Sequence, residues 1–318
     1  MIHKEIRCGQ CGRKLGEGVL ITFVIRRHRC KTMNHFQAGH ELPNPNVPAR
    51  RAYGDPVNKS VTRSAIRYFG GKWAIAPWVI ENMPNHEIYV EPFGGGASVL
   101  LRKPPAKFEV YNDLDSEIYG IFKVLQSSEQ CQRLARMLKR TPWAREQYRE
   151  AFTASTEPVV RAQRALVRAY MSIHHSALFN PGKIGGFAST DASGVRSWRN
   201  YPRALVHVTR RLKHIVLENR DAFKVIDTHD TPGTLFFVDP PYLPSTRNPS
   251  AKYRCEMTEA QHIELLTRLN AIKGRAMVAG YPSGLYDDML KDWTRLEKSH
   301  YARSNGVRKS TEVLWITP

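Results

Sequence analysis

From Arg63 onward, apolar residues fall into short runs separated by helical stretches, the alternation expected of an α/β sheet. Val90 leads into a glycine turn, followed by a predicted helix through Ser98-Val99-Leu100-Leu101. Phe108-Glu109-Val110-Tyr111 reads as a strand running into acids, and Leu235-Phe236-Phe237-Val238 as a buried strand ending at Asp239. Ala276-Met277-Val278-Ala279 is a further strand, ending at Gly280. Between these, 124–215 reads as mostly helical and arginine-rich, interrupted by a glycine-bearing loop over 181–198. Ahead of the α/β pattern, residues 1–41 are rich in cysteine, histidine and arginine. The prolines that follow in Pro43-Asn44-Pro45-Asn46-Val47-Pro48 disfavour helix and make 42–62 a linker.

A chain of 318 residues accommodates one large domain and an accessory module. No apolar run approaches membrane-spanning length and the polar amino terminus lacks a signal-peptide core, so a cytoplasmic protein without membrane association is expected. Three of the five cysteines fall within the first thirty residues, which suits metal ligands in a reducing compartment better than a disulfide framework. The formal charge of +19 is uneven. Residues 1–62 carry +7 and 124–220 carry +11, whereas the remainder carries +1. A solubility charge would be spread along the chain; charge concentrated in two segments favours a polyanionic partner.

The most informative string is Asp239-Pro240-Pro241-Tyr242, because an apolar strand precedes it and open α/β sheets bind ligands at strand carboxyl ends. An exocyclic amine on an aromatic base is a poor nucleophile, its lone pair being delocalised. A carboxylate and a fixed carbonyl accepting its two protons localise that pair, and an aromatic ring can stack on the base. Asp239, the Pro240 carbonyl and Tyr242 supply those parts, with Pro241 stiffening the turn; a proline turn with a solvated aspartate is the competing reading.

With this string in view, the chain from about Arg63 to Ile316 resembles the Dam-type (D12 class) adenine-specific DNA methyltransferases, whose catalytic motif has the form of Asp239–Tyr242. Other motifs follow in family order. Arg67-Tyr68-Phe69-Gly70-Gly71-Lys72 resembles the amino-terminal cofactor motif, with Tyr68 and Lys72 facing the cofactor. Glu91-Pro92-Phe93-Gly94-Gly95-Gly96-Ala97 resembles the glycine loop under its methionine part. Asp113, about twenty residues on, matches the acid that binds ribose hydroxyls, and Asp221-Ala222-Phe223 the segment that contacts the cofactor's adenine. Thr311-Glu312-Val313-Leu314-Trp315-Ile316 resembles the family's last strand. Taken singly, Asp113 and Asp221 could be helix caps and Lys72 a solvated surface charge. The resemblance implies S-adenosylmethionine as methyl donor, with Asp239 near it as well.

The same resemblance makes 124–215 an inserted target-recognition domain for double-stranded DNA, in keeping with its charge. Arg196, Trp198, Arg199 and Asn200 mix guanidinium, indole and amide groups that can read bases or grip phosphate; a helical cap with Trp198 in its core is the alternative. The first residues resemble the Com-type zinc-finger regulators of phages, which bind RNA, and so imply RNA as a partner of this module and a phage or prophage origin. Cys8, Cys11 and Cys30 stand in place, but Arg27 occupies the position of the remaining cysteine. His35 or His28 must then complete a structural Zn²⁺ site, or the site is lost.

The expected architecture is α/β: a Rossmann-like S-adenosylmethionine-dependent methyltransferase domain over 63–318 with a seven-stranded, mostly parallel sheet, a helical insertion and a small zinc-finger-like module ahead. The expected activity is monomeric, site-specific N6-adenine methylation of a flipped-out base. A cytosine N4 methyltransferase of the same fold and a non-catalytic nucleic-acid-binding regulator are the rivals.

Overall fold

The computed structural model describes residues 61–68, 70–173, 186–247, 253–303 and 307–318, with backbone only at 300–303 and 307–310, and the backbone of four short strands before them. The chain divides into two compact units, Met1–Ala52 and Tyr53–Pro318. In the first, β1 (Lys4–Arg7) pairs antiparallel with β2 (Lys14–Gly18), and β3 (Thr22–Arg26) with β4 (Met33–Gln37). Cys8, Cys11, Arg27, His28 and Cys30 lie outside the described residues, as does the side chain of His35 on β4.

The second unit is built on a seven-stranded sheet. Its strands are β5 (Ile88–Glu91), β6 (Phe108–Asn112), β7 (Ile215–Glu218), β8 (Thr234–Val238), β9 (Arg275–Gly280), β10 (Thr294–Arg303) and β11 (Val307–Ile316), in spatial order β10-β11-β9-β8-β5-β6-β7. The pairs from β9 to β7 are parallel, and the β10–β11 hairpin adds antiparallel to β9, so the sheet is mostly parallel as expected.

Alternation along each strand feeds two cores. Tyr89, Tyr111, Leu235, Phe237, Met277 and Leu314 face one cluster, and Val90, Val110, Phe236, Val238, Val278 and Trp315 the other. Because helices cover both faces, every residue of β8 is buried, and the strand reads as a continuous apolar run. The first cluster is covered by α1 (Ala76–Glu81), α2 (Ser116–Gln126), α3 (Ser128–Arg140), α4 (Arg145–Glu150), α5 (Pro158–Met171) and α6 (Ala192–Leu212). The second lies under α7 (Ala222–His229), α8 (Glu259–Leu269) and α9 (Gly284–Met289).

The arginine-rich insertion shares its core with the sheet: Leu134, Leu166, Tyr170, Tyr201 and Leu205 join Tyr111 and Ile118 in one cluster. A buried ion triad ties it down further, since Arg211 of α6 and Lys103 both pair with Glu109 of β6. No helix among the described residues is long and apolar enough to cross a membrane.

Two local expectations are corrected. The stretch Ser98–Leu101 forms consecutive turns, not a helix: the Leu100 N–H that would continue a helix donates instead to Glu91 Oε1 at 2.8 Å. The loop expected over 181–198 ends earlier, because Asp191 caps α6. Its carboxylate accepts the Gly194 N–H at 2.7 Å and the Ser193 hydroxyl at 2.7 Å, so helix begins at Ala192 despite the glycine.

Candidate active site

The chain steps from β5 to β6 on one side and later returns to β8 on the other, a topological switch at whose carboxyl edge open α/β sheets place ligands. A cleft opens there with about 1080 Å³ of atom-free space, mouth included. Tyr68, Lys72, Glu91, Pro92, Phe93, Gly94, Gly95, Gly96, Asp113, Asp221, Ala222, Asp239, Pro240 and Pro241 all line it.

The loop after β5 is shaped by close approach. Gly95 has φ +47°, and a Cβ there would come within 2.8 Å of the Tyr68 ring; a Cβ on Gly94 would strike the Tyr111 ring at 2.2 Å. Asp113 braces the loop, accepting the Gly95 N–H on Oδ2 and the Asp115 N–H on Oδ1, each at 2.8 Å. Asn112 stitches two loops together: its amide donates to the Pro92 and Arg220 carbonyls, and its oxygen accepts the Arg220 N–H. Asp221 caps α7 through the Phe223 and Lys224 N–H groups and also borders the cleft, so cap and cleft roles coexist. Ser98 lines the same space with a buried hydroxyl that has no hydrogen-bond partner among the described residues.

Burial dominates the electrostatics. It pushes the Asp113 carboxyl up to about 7 against the two N–H bonds it accepts. It pushes Glu91 up to about 8, although the Tyr89 hydroxyl and the Leu100 N–H bond its carboxylate.

At the end of β8, Asp239 meets a cation rather than bulk water. The Lys72 ammonium lies 3.1 Å from Asp239 Oδ1, 4.0 Å from Glu312 Oε2 and 3.0 Å from the Gly70 carbonyl. Lys72 is 5% exposed, which removes the solvated-charge reading. Burial alone would lower its pKa, but Asp239 and Glu312 more than offset this and hold it protonated. The Asp239 carboxyl is raised by burial and by Glu312, and lowered by Lys72. Tyr242 stands behind the lining residues. Its hydroxyl donates to Glu312 Oε2 at 2.8 Å, its ring centroid is 4.8 Å from the Lys72 nitrogen, and Tyr281 packs edge-on at 4.7 Å. The Pro240 carbonyl accepts no hydrogen bond among the described residues.

Sequence reasoning missed Glu312, Tyr253, Arg254 and Asp115 as site residues. Arg254 crosses the rim to Asp115 at 2.9 Å and Glu117 at 2.8 Å, and Tyr253 lines the cleft near Tyr68. None of the four carried a sequence signal of a site role; Glu312 stood only within the string Thr311–Ile316. Among the candidate nucleic-acid contacts, Arg196, Arg199 and Asn200 are exposed on α6. Trp198 is a correction: it is 5% exposed, its indole N–H donates to the Thr141 carbonyl at 2.9 Å, and its ring packs on Tyr170 and Tyr201, so it belongs to the core. Among the described residues no cluster of histidine, cysteine and acidic side chains could hold a metal.

The chain belongs to the D12 class of N6 adenine-specific DNA methyltransferases, whose family model matches residues 68–303. A second model, of the Mu-like prophage protein Com, a zinc ribbon, matches residues 2–47. The DNA adenine methylases of Salmonella typhi and of Escherichia coli strain K12 are each 22% identical to the chain, across 79% of its length and 94% of theirs.

Proposed function

We propose that the chain transfers a methyl group from S-adenosylmethionine to the N6 amine of an adenine flipped out of duplex DNA. The cleft fits the donor's parts by its own features: a glycine loop that a Cβ would obstruct, a buried Ser98 hydroxyl without a partner among the described residues, and acids at Glu91 and Asp113. Residues 91–96, Tyr68, Asp113 and the 221–223 segment would hold it. When bound, S-adenosylmethionine supplies an electrophilic methyl group on a sulfonium.

The observation that carries the reading is Asp239, set beside a buried ammonium and followed by a carbonyl with no donor among the described residues. Lys72 favours the ionised form of Asp239 against the burial that raises its pKa, and the carboxylate would accept a hydrogen bond from one amine N–H while the Pro240 carbonyl accepts one from the other. The nitrogen lone pair is then available for attack. A paired, stacked adenine cannot reach this corner, so the base must leave the helix. The exposed row Arg196, Arg199, Arg203 and Arg210 on α6 has no ion-pair partner among the described residues and suits phosphate neutralisation. The Com-like match supports a nucleic-acid-binding first unit and a phage or prophage origin. Zinc held by Cys8, Cys11, Cys30 and His35 is part of the same proposal.

Incubating the protein with methyl-labelled S-adenosylmethionine and duplex DNA, then resolving the nucleosides, tests it. Label in N6-methyladenine is expected. Label in N4-methylcytosine would move the substrate to cytosine, and no transfer by protein that binds DNA would favour the regulator.

A further inference from the structure

Glu312 is a buried carboxylate that the transfer chemistry does not itself require. It shares a face of β11 with Leu314 and Ile316, where alternation along the strand calls for an apolar side chain, and its side chain is 8% exposed. An ionised carboxylate there is costly unless its neighbours compensate. Both neighbours that do so belong to the site: the Tyr242 hydroxyl at 2.8 Å and the Lys72 ammonium at 4.0 Å.

We propose that Glu312 is a positioning residue for methyl transfer, fixing the Tyr242 ring by its hydroxyl and sharing the charge of the Lys72 ammonium with Asp239. The inference rests on the methyltransferase reading above. Tyr242 is restrained at its hydroxyl by Glu312 and by Asp239, at its face by Lys72, and at its side by the edge-on Tyr281. The bond to Glu312, at 2.8 Å, is directional and helps set the ring's angle. The ammonium, with bonds to Asp239 and the Gly70 carbonyl, is likewise held from a third direction by Glu312. Without Glu312 the ammonium's charge falls on Asp239 alone, and the carboxylate is less free to accept from the amine. Glu312 thus acts on Tyr242, which stands behind the cleft lining, and on Lys72, which belongs to it.

The test compares full-length wild type with Glu312→Gln, Glu312→Ala, Tyr242→Phe and the Tyr242→Phe/Glu312→Ala double variant. Single-turnover transfer to duplex DNA, calorimetric S-adenosylmethionine affinity and thermal midpoint are the readouts. Glu312→Ala is expected to slow transfer by about 30-fold or more while cofactor affinity stays within about threefold, the split of a group acting on the reacting geometry. Glu312→Gln, which keeps an oxygen for the Tyr242 hydroxyl, recovers part of the loss. In the Tyr242→Phe background the alanine change costs less than it does alone, because the shared bond is already gone. Glu312→Ala turning over within about threefold of an active wild type overturns the inference alone, as does equal cost in both backgrounds. A wild type that transfers no methyl group overturns the functional reading and this inference with it. Should Glu312→Ala not fold, the isosteric glutamine variant decides: a smaller loss from Glu312→Gln in the Tyr242→Phe background than in wild type supports the coupling, and an equal loss in both overturns it.

Discussion

Asp113 and Gly95 hold one another: the carboxylate at the end of β6 accepts the N–H of a glycine in the positive-φ region of the neighbouring loop, at 2.8 Å. The acid proposed to bind the cofactor ribose is therefore a strut of the glycine loop in its own right. Asp113→Ala is expected to weaken S-adenosylmethionine binding by about 1.5–3 kcal/mol, the cost of losing charge-assisted hydrogen bonds. Gly95→Val should weaken it by a different route, since a side chain there meets the Tyr68 ring and cannot adopt the required φ without strain. Calorimetry on folded variants decides, and unchanged affinity in both would move the cofactor elsewhere.

Asp239→Ala should abolish transfer while leaving cofactor affinity largely intact. A positioned acceptor in a water-poor site is worth about 10²–10³ in rate or more. Removing it also strands Lys72 with Glu312 as its remaining anion. Single-turnover rates are the measure, and a variant within about tenfold of wild type would show that Asp239 is not the acceptor.

The raised carboxyls predict a pH signature. An acid whose folded pKa lies above its unfolded value binds protons more tightly when folded, so its stabilising contribution declines as pH rises between the two values. For Asp113 that window runs from 3.8 to about 7, and for Glu91 from 4.5 to about 8. The thermal midpoint of ligand-free protein should therefore fall between about pH 5.5 and 8, and Glu91→Gln should flatten that fall. An unchanged slope in the variant would remove Glu91 as a cause. Cofactor affinity should move oppositely, rising as Asp113 ionises.

Replacing Arg196, Arg199 and Arg203 with alanine should weaken DNA binding about equally on all sequences. The salt slope should fall by about one unit for each phosphate that an arginine no longer neutralises. Trp198→Ala should act differently, destabilising the fold by about 3–5 kcal/mol because a buried aromatic is removed. Salt titrations and denaturation curves separate the two; an arginine variant with an unchanged slope would take α6 off the DNA.

The contrast between these α6 residues shows what was legible beforehand. The sheet was, because strands buried on both faces leave apolar runs, as Leu235–Val238 does. Much of the cleft was too, since Glu91–Gly96, Asp113 and Asp239–Pro241 stand at strand ends in short contiguous strings. Trp198 was misplaced by composition, its arginine neighbours suggesting surface. Spacing held the better clue: Trp198, Tyr201, Leu205, Val208 and Leu212 form the buried stripe of one helix. Glu312 was invisible for another reason. It lies 70 residues beyond the Tyr242 whose hydroxyl it binds, and an antiparallel strand added to the sheet brings the two together. No local pattern encodes that meeting.

The last prediction concerns the first unit. If Cys8, Cys11, Cys30 and a histidine close a tetrahedral site, purified protein should carry about one equivalent of zinc, because three thiolates and one imidazole suffice for a structural ion. Substituting His35 and His28 in turn should identify the fourth ligand by loss of that metal. Deleting residues 1–60 should remove the zinc yet leave a folded, cofactor-binding enzyme, since the residues that line the cleft begin at Tyr68. The deletion also removes the whole +7 carried by residues 1–62, so the salt dependence of nucleic-acid binding should flatten if those charges meet phosphate. Metal analysis and salt titration of the two proteins give separate answers. Zinc-free, folded full-length protein would mean that arginine at position 27 ended the metal site. Loss of methylation on deletion, with cofactor binding retained, would mean instead that the first unit helps hold the DNA.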